Sequence, residues 1–196
     1  QHLGIPQEVP LIGFVGQVAW RKGVETLVRT MQAVWQHFPT AHLLVAGAKT
    51  LYEQRLAEVL DSLTPDQRQK ILLRYNFPDA DKPFMFAALD VLAYPSSFES
   101  FGIAYIEAWA VEKPVIGCKN GAVPYVIDAG RDGLLINFDD SNALGEAILL
   151  LLQNPAWAGS LGQQGRQKVL QRYNWPEIAR RFRQVYQGAI ERYQLK

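Results

Sequence analysis

Apolar residues follow two alternating patterns along the chain. Short continuous apolar runs bounded by Gly, Pro, Asn or Asp are typical of strands buried on both faces. Longer segments with apolar residues three or four positions apart are typical of helices. Strands are predicted over 9–17, 41–48, 71–77, 90–95, 113–118 and 132–137. Helices are predicted over 23–38, 51–63, 81–89, 102–111, 122–130, 141–154, 156–173 and 175–193, with Gly130 ending the fifth.

This alternation of strands and helices predicts the fold class. Repeated strand–helix–strand units form a parallel sheet with helices on both faces, because the crossovers are right-handed. The expected architecture is α/β, a doubly wound, Rossmann-like sheet in one domain spanning 1–196. The helices after position 141 have no strands between them, so they are expected to form a C-terminal helical cap and tail.

Composition and charge exclude several classes of function. Lys+Arg is 20 and Asp+Glu is 19, a net charge of +1 that indicates no bulk attraction to nucleic acid or to anionic membranes. The longest apolar run, 147–153, is too short to span a bilayer. One cysteine, Cys118, forms no internal disulfide, which favours a reducing, cytoplasmic location. Cys118 is interpreted as a small buried residue. The histidines have no spacing typical of metal ligands, so no metal is predicted for His2, His37 and His42.

The loop after the first predicted strand contains a basic turn. In FVGQVAWRKGVETL (14–27), Gly16 ends the strand, and Arg21 and Lys22 open a helix. Free N–H groups and the positive end of the dipole at a helix start favour an anion such as a diphosphate. A solvated basic turn is the alternative, because the loop matches neither a Walker A loop nor GxGxxG.

Two further loops give weaker signals. Gly47 follows the second strand and would allow the backbone to approach a ligand, although a tight turn is the commoner reason for such a glycine. The segment RYNFPDADKP (74–83) follows the third strand and is interpreted as a plain polar loop.

The segment PSSFESFGIAYIE (95–107) places two carboxylates around the start of a helix. The N–H groups of Phe101, Gly102 and Ile103 are candidates to face an anion at that start. Glu99 and Glu107 are candidates to bind sugar hydroxyls beside the anion, because a carboxylate accepts two strong hydrogen bonds. The alternative is that each glutamate favours the helix start through its dipole; this suits Glu99 better than Glu107, which lies in an apolar stretch.

Four segments together resemble the carboxy-terminal domain of GT-B glycosyltransferases of the large retaining group 1 (family 4) class. In order, they are FVGQVAWRKGVETLV, HLLVAGA, DVLAYPSSFESFGIAYIEAWAVEKPVIG and NGAVPYVIDAGRDGLLI. The most specific part runs from Glu99 to Glu107 and matches the E-x7-E motif of that family. The resemblance covers about 10–155 well, and the later helices fit the end of the same domain.

The resemblance implies a site for a UDP- or GDP-linked sugar donor, with no cofactor and no metal. Lys22 resembles the lysine that holds the donor diphosphate, and Glu99 resembles the glutamate near the transferred sugar; these two are the catalytic candidates. Glu107 resembles the glutamate that holds the ribose hydroxyls. The other donor-binding candidates are Gly16, Gln17, Arg21, Gly47, Ser100, Phe101, Gly102 and Ile103.

The resemblance also implies a partner. GT-B enzymes have two Rossmann-like domains, and the acceptor-binding N-terminal domain is missing from this sequence, which begins with Gln where a natural chain usually has Met. The isolated domain is therefore expected to bind the donor and to be inactive alone. Any peripheral membrane association is expected only through the missing domain.

Three positions depart from the family pattern. Gln17 stands where the family usually has Arg, which removes one cation from the diphosphate site. Glu112 replaces a Gly in the A-x-G-x-P-V turn, and Tyr125 replaces the Glu of G-G-x-P-E. A catalytically silent nucleotide-binding or interaction module on the same fold is the alternative that these departures favour. An epimerase, a phosphorylase, a dinucleotide oxidoreductase or a protein scaffold fits the motifs less well.

Overall fold

The computed structural model describes residues 4–6 and 8–194. The strands of its sheet are β1 (Leu11–Val15), β2 (His42–Gly47), β3 (Ile71–Tyr75), β4 (Val91–Tyr94), β5 (Val115–Cys118) and β6 (Leu134–Ile136). Every neighbouring pair is parallel, and the order across the sheet is β3-β2-β1-β4-β5-β6. The connections leave β1 in one direction and β4 in the other, so the strand order reverses between these two strands. Ligands bind at such a reversal, outside the carboxyl ends of the strands.

The helices of the described residues surround this sheet. They are α1 (Val24–His37), α2 (Glu53–Asp61), α3 (Pro65–Gln69), α4 (Lys82–Ala88), α5 (Ile103–Ala110), α6 (Val123–Val126), α7 (Ser141–Gln153), α8 (Pro155–Arg172) and α9 (Trp175–Gln194). Helix α1 contacts α2 and α7, whereas α5 contacts α4 and α8. Right-handed crossovers place α1 and α5 on opposite faces. The prediction of a doubly wound α/β fold is confirmed.

Burial explains why the strands read as continuous apolar runs. All residues of β1, β4 and β5 are buried, because helices cover both faces of the sheet. Helix α5 is apolar because it is enclosed between the sheet and α8, and Tyr105 and Trp109 on it are fully buried. The Trp109 indole N–H donates to the carbonyl of Asp132 at 2.8 Å, so this large side chain satisfies its polar atom.

The structure corrects two details of the sequence prediction. Helix α6 ends at Val126, not at Gly130, and the short helix α3 was not predicted. The expected C-terminal helical cap and tail is confirmed: α7 packs on α1, and Lys168 of α8 donates to the carbonyl of Val126 at 2.8 Å. Helix α9 forms the tail, because none of its described residues is buried. No described helix is both long and apolar enough to cross a membrane.

Candidate functional site

The loops that follow β1 and β4 are joined at the point where the strand order reverses. The backbone carbonyl of Arg21 accepts hydrogen bonds from the Ser97 N–H at 2.7 Å, the Ser97 hydroxyl at 3.0 Å and the Ser96 hydroxyl at 3.2 Å. Gly23 lies so close to the carbonyl of Pro95 that a Cβ there would overlap it. Two loops that are far apart in sequence therefore form one surface.

Lys22 and Glu99 meet at the centre of this surface. The Lys22 ammonium donates to a carboxylate oxygen of Glu99, and the two side chains are 15% and 11% exposed. The ring of Tyr94 lies beneath the ammonium, with its centroid 5.6 Å from Nζ. The carbonyl of Glu99 accepts from the N–H of Ala122 at 2.9 Å, so the turn before α6 also fixes this loop. The structure thus brings the two catalytic candidates into direct contact.

The start of α5 presents backbone donors beside this pair. Gly102 caps the helix with φ +90°, a left-handed conformation that favours glycine. In the described part of the chain, the N–H groups of Phe101, Gly102 and Ile103 have no hydrogen-bond partner. The side chains of Phe101 and Ile103 are 40% and 63% exposed, and Ser100 is also exposed. A helix start with free donors is a favourable place for an anion.

Glu107 makes a second ion pair, which sequence reasoning missed. Lys82 Nζ lies 2.5 Å from Glu107 Oε1, and the two side chains are 36% and 31% exposed. Lys82 is the first residue of α4, in the loop region after β3 that was interpreted as plain polar. The signal was the same one that identified Lys22: a cation where a strand-to-helix loop enters its helix.

Tyr94 ends β4 and occupies the space next to Gly16. A Cβ on Gly16 would overlap the Tyr94 hydroxyl, so the glycine is needed for this packing. Tyr94 is 5% exposed, and burial together with the charges of Glu99 and Glu107 raises the pKa of its hydroxyl. The sequence does not single out this residue, because a tyrosine at the end of an apolar strand is expected to belong to the hydrophobic core.

The remaining candidate residues, Arg21, Gln17 and Gly47, differ in their exposure and in their neighbours. The positive charge of Arg21 lowers the pKa of Tyr94, against the effect of the carboxylates. Gln17 is exposed. Gly47 packs against the carbonyl of Gly16, where a Cβ would overlap it, so its close approach is to a neighbouring loop. A ligand contact at Gly47 stays a prediction.

The other two departures from the family pattern belong to neither of these two ion pairs. Glu112 lies in the turn between α5 and β5, at the opposite edge of the sheet, with φ +60°. Its carboxylate is 3.5 Å from Nε of Arg166 on α8. Tyr125, on the short helix α6, is 88% exposed. The presence of Glu112 in place of Gly therefore affects the strain of the backbone at this turn, and not the chemistry of the site. His2, one of the three histidines given no metal role, lies outside the described residues.

Sequence comparison identifies related proteins. The family model described as "Glycosyl transferases group 1" matches residues 1–168. An alpha-maltose-1-phosphate synthase from Mycolicibacterium smegmatis is 29% identical over 194 residues, covering 94% of this chain and 49% of the relative. A GDP-mannose-dependent monoacylated alpha-(1-6)-phosphatidylinositol monomannoside mannosyltransferase from Corynebacterium glutamicum is 29% identical over 195 residues, covering 96% of this chain and 50% of the relative. The chain thus spans about half the length of these relatives.

Two solved structures resemble this chain. Sucrose-phosphate synthase from Thermosynechococcus elongatus superposes with a TM-score of 0.86 at 30% identity, covering 97% of this chain and 48% of that chain. Anabaena Alr3699/HepE in complex with UDP-glucose superposes with a TM-score of 0.82 at 20% identity, covering 92% of this chain and 49% of that chain. The second likeness is one of fold.

Proposed function

Because this chain belongs to the glycosyl transferases group 1 family, we propose that it binds the nucleotide-sugar donor for a retaining glycosyl transfer. The donor is UDP- or GDP-linked, and it lies on the joined loops after β1 and β4. The acceptor is held by an N-terminal GT-B domain outside this sequence. In this proposal the chain is the C-terminal domain of a family 4 enzyme and is inactive alone.

The observation that carries the proposal is the contact between Lys22 and Glu99 beside the free donors of α5. Lys22 and the N–H groups of Phe101 to Ile103 bind the diphosphate. Glu99 then lies where the transferred sugar emerges from the diphosphate, and Glu107 lies further along α5 for the ribose hydroxyls. A carboxylate suits each sugar because it accepts two strong hydrogen bonds.

The proposed chemistry is electrostatic. When the bond between the sugar and the diphosphate breaks, negative charge develops on the leaving phosphate oxygen. Lys22, Arg21 and the start of α5 place positive charge there before the reaction begins, which stabilises the transition state. The acceptor hydroxyl forms the new bond on the same face that the diphosphate leaves, as retention requires, and its proton passes to the leaving phosphate oxygen.

Two findings support a partner domain. This chain covers about half of the relatives' length. Helix α9 is also amphipathic yet leaves its large apolar side chains exposed; they are Trp175, Phe182, Val185, Tyr186, Ile190 and Tyr193. The missing N-terminal domain buries this face in the proposal, since an apolar patch of this extent marks an interaction site. Cytoplasmic location and membrane contact through that domain stay predictions.

A catalytically silent nucleotide-binding module is the second candidate. It is favoured by Gln17, which is exposed and supplies no cation where the family usually has Arg. It is also favoured by Tyr125 in place of a Glu. Both candidates bind a nucleotide, so they differ in their response to the sugar and in whether transfer occurs once the N-terminal domain is supplied.

Calorimetric titration tests the proposal. The chain is titrated with UDP, GDP and ADP, and then with the matching sugar donors. We expect binding of UDP or GDP, and we expect Lys22→Ala to abolish it. Lys70→Ala is the matched control, because Lys70 immediately precedes β3 at the opposite edge of the sheet and should bind as wild type does.

Absence of binding to every nucleotide would overturn the proposal. Binding of a nucleotide with no gain from any attached sugar would instead favour the silent module. The same conclusion would follow if the polypeptide completed with its N-terminal domain binds the donor and transfers no sugar.

A further inference from the structure

Tyr94 is held rigidly at the reversal of the strand order. Its ring stacks on Phe14 with centroids 4.7 Å apart and planes within 2°. Tyr105 packs edge-on against it at 5.8 Å, and Lys22 lies above it. Aromatic contacts on several sides leave the ring one position, so the hydroxyl has a fixed place next to Gly16.

The hydroxyl of Tyr94 has no hydrogen-bond partner in residues 4–6 and 8–194. Two other tyrosine hydroxyls are paired: Tyr105 donates to the carbonyl of Tyr94 at 3.0 Å, and Tyr52 donates to Glu25 at 2.9 Å. Tyr75 Oη is the one fully enclosed side-chain polar atom without a partner in the described part of the chain. The unpaired Tyr94 hydroxyl therefore keeps some access to solvent, although the residue is 5% exposed.

The charges around this hydroxyl determine what it can do. Burial raises its pKa, and the carboxylates of Glu99 and Glu107 raise it further, so the group stays protonated. A protonated phenol is a hydrogen-bond donor. The Lys22 ammonium lies over the ring of the same side chain, with Nζ 5.6 Å from its centroid, and the loop after Tyr94 leads to the free N–H groups at the start of α5. A phosphate oxygen, which only accepts hydrogen bonds, fits a place where these donors converge.

We propose that the Tyr94 hydroxyl is a donor-binding group that hydrogen-bonds a diphosphate oxygen of the bound nucleotide sugar. The inference rests on the proposed function and adds a residue to that site. It gives a partner to a rigid hydroxyl that no group of the described residues pairs, in a side chain whose ring also meets the Lys22 ammonium. A tyrosine that served only as a platform for the Lys22 ammonium would need its ring and not its oxygen.

Tyr94→Phe separates these two roles, because it keeps the ring and removes the oxygen. We expect this variant to bind UDP or GDP, whichever the chain takes, about tenfold or more weakly, the loss typical of a hydrogen bond to a charged group. Inorganic pyrophosphate should lose affinity by a similar factor. The midpoint of thermal unfolding should stay at the wild-type value, because the packing is unchanged.

Tyr75→Phe is the matched control, because Tyr75 also ends a strand at this edge and carries an unpaired hydroxyl. It should bind every probe as wild type does. Wild-type affinity in Tyr94→Phe would overturn the inference and leave the proposed function standing. A loss for the nucleotide without a loss for pyrophosphate would overturn the diphosphate assignment. A wild-type chain that binds no nucleotide would overturn both.

Discussion

Two lysine–glutamate pairs of the same chemistry lie on this edge of the sheet in different surroundings. Lys22–Glu99 joins the loop after β1 to the loop after β4, and its side chains are 15% and 11% exposed. Lys82–Glu107 joins α4 to α5, and its side chains are 36% and 31% exposed. Both pairs involve a carboxylate of the E-x7-E motif, so the motif contributes to two sites that differ in their access to water.

The difference in burial indicates how much each pair contributes to the stability of the fold. Ions that have lost water depend on each other, and removal of one leaves an uncompensated charge. When one ion of an exposed pair is removed, water solvates the remaining ion at little cost in free energy. Lys22 and Glu99 therefore hold the joined loops together, in addition to the ligand contact that we propose for them. The contact that we propose for Glu107 can be removed with little effect on folding.

The largest expected effect comes from breaking the buried pair. Lys22→Met leaves Glu99 unpaired, and we expect the free energy of unfolding to fall by roughly 3 kcal/mol, at the low end for a buried pair because some exposure remains. Chemical denaturation followed by circular dichroism measures the change. The double variant Lys22→Met with Glu99→Leu should recover most of the loss, because neither charge is then left alone. A loss below about 1 kcal/mol in the single variant would show that the pair is solvated.

Glu107→Gln should have its main effect on binding. Water reaches about a third of each side chain of this pair, so we expect it to contribute little to folding and unfolding to change by less than about 1 kcal/mol. Loss of the charged acceptor for the ribose hydroxyls should weaken UDP or GDP about tenfold. Calorimetry with pyrophosphate is the control, because a ligand without ribose should bind the variant and the wild type equally. Equal weakening of both ligands would contradict the assignment of Glu107 to the ribose.

Lys82→Ala should give a smaller effect of the same kind. Lys82 contacts the Glu107 carboxylate and favours one orientation of it, and a pair that water reaches contributes about 0.2–1 kcal/mol. We therefore expect nucleotide affinity to fall no more than about fivefold, with little change in unfolding. Lys82→Arg should restore the wild-type affinity if orientation is the cause. A loss as large as that of Glu107→Gln would mean that Lys82 itself contacts the ligand.

The fold could be predicted from the sequence because its strands are buried on both faces and its helices are amphipathic. Each strand then appears as a short apolar run, and the alternation with helices determines the topology. The errors occurred where local signals were weak. Gly130 looked like a helix end but follows α6 by several residues, and α3 has no buried residue to give it a pattern.

The site was predicted only in part, for a different physical reason. Lys22, Glu99 and Glu107 came from motifs within single loops, which sequence spacing can show. Their pairing could not, because Lys22 and Glu99 are 77 positions apart and meet only through the reversal of the strand order. Tyr94 was missed because its ring is core and its function, in our proposal, depends on one unpaired oxygen.

The smallest expected effect is the change in the coupling energy of each ion pair when salt is added. Added electrolyte screens charges that water reaches, and the Debye screening length falls from about 30 Å at 0.01 M to about 3 Å at 1 M.

Double-mutant cycles with Met in place of Lys and Leu in place of Glu give a coupling energy for each pair. That of Lys82–Glu107 should be a few tenths of a kcal/mol at low salt and approach zero near 1 M. That of Lys22–Glu99 should change less, because its side chains are only 15% and 11% exposed and buried pairs are screened less. If both couplings fell by the same fraction, the contrast in burial would have no electrostatic consequence, and the loops after β1 and β4 would have to be held by the hydrogen bonds to the Arg21 carbonyl and by the packing of Gly23 on Pro95.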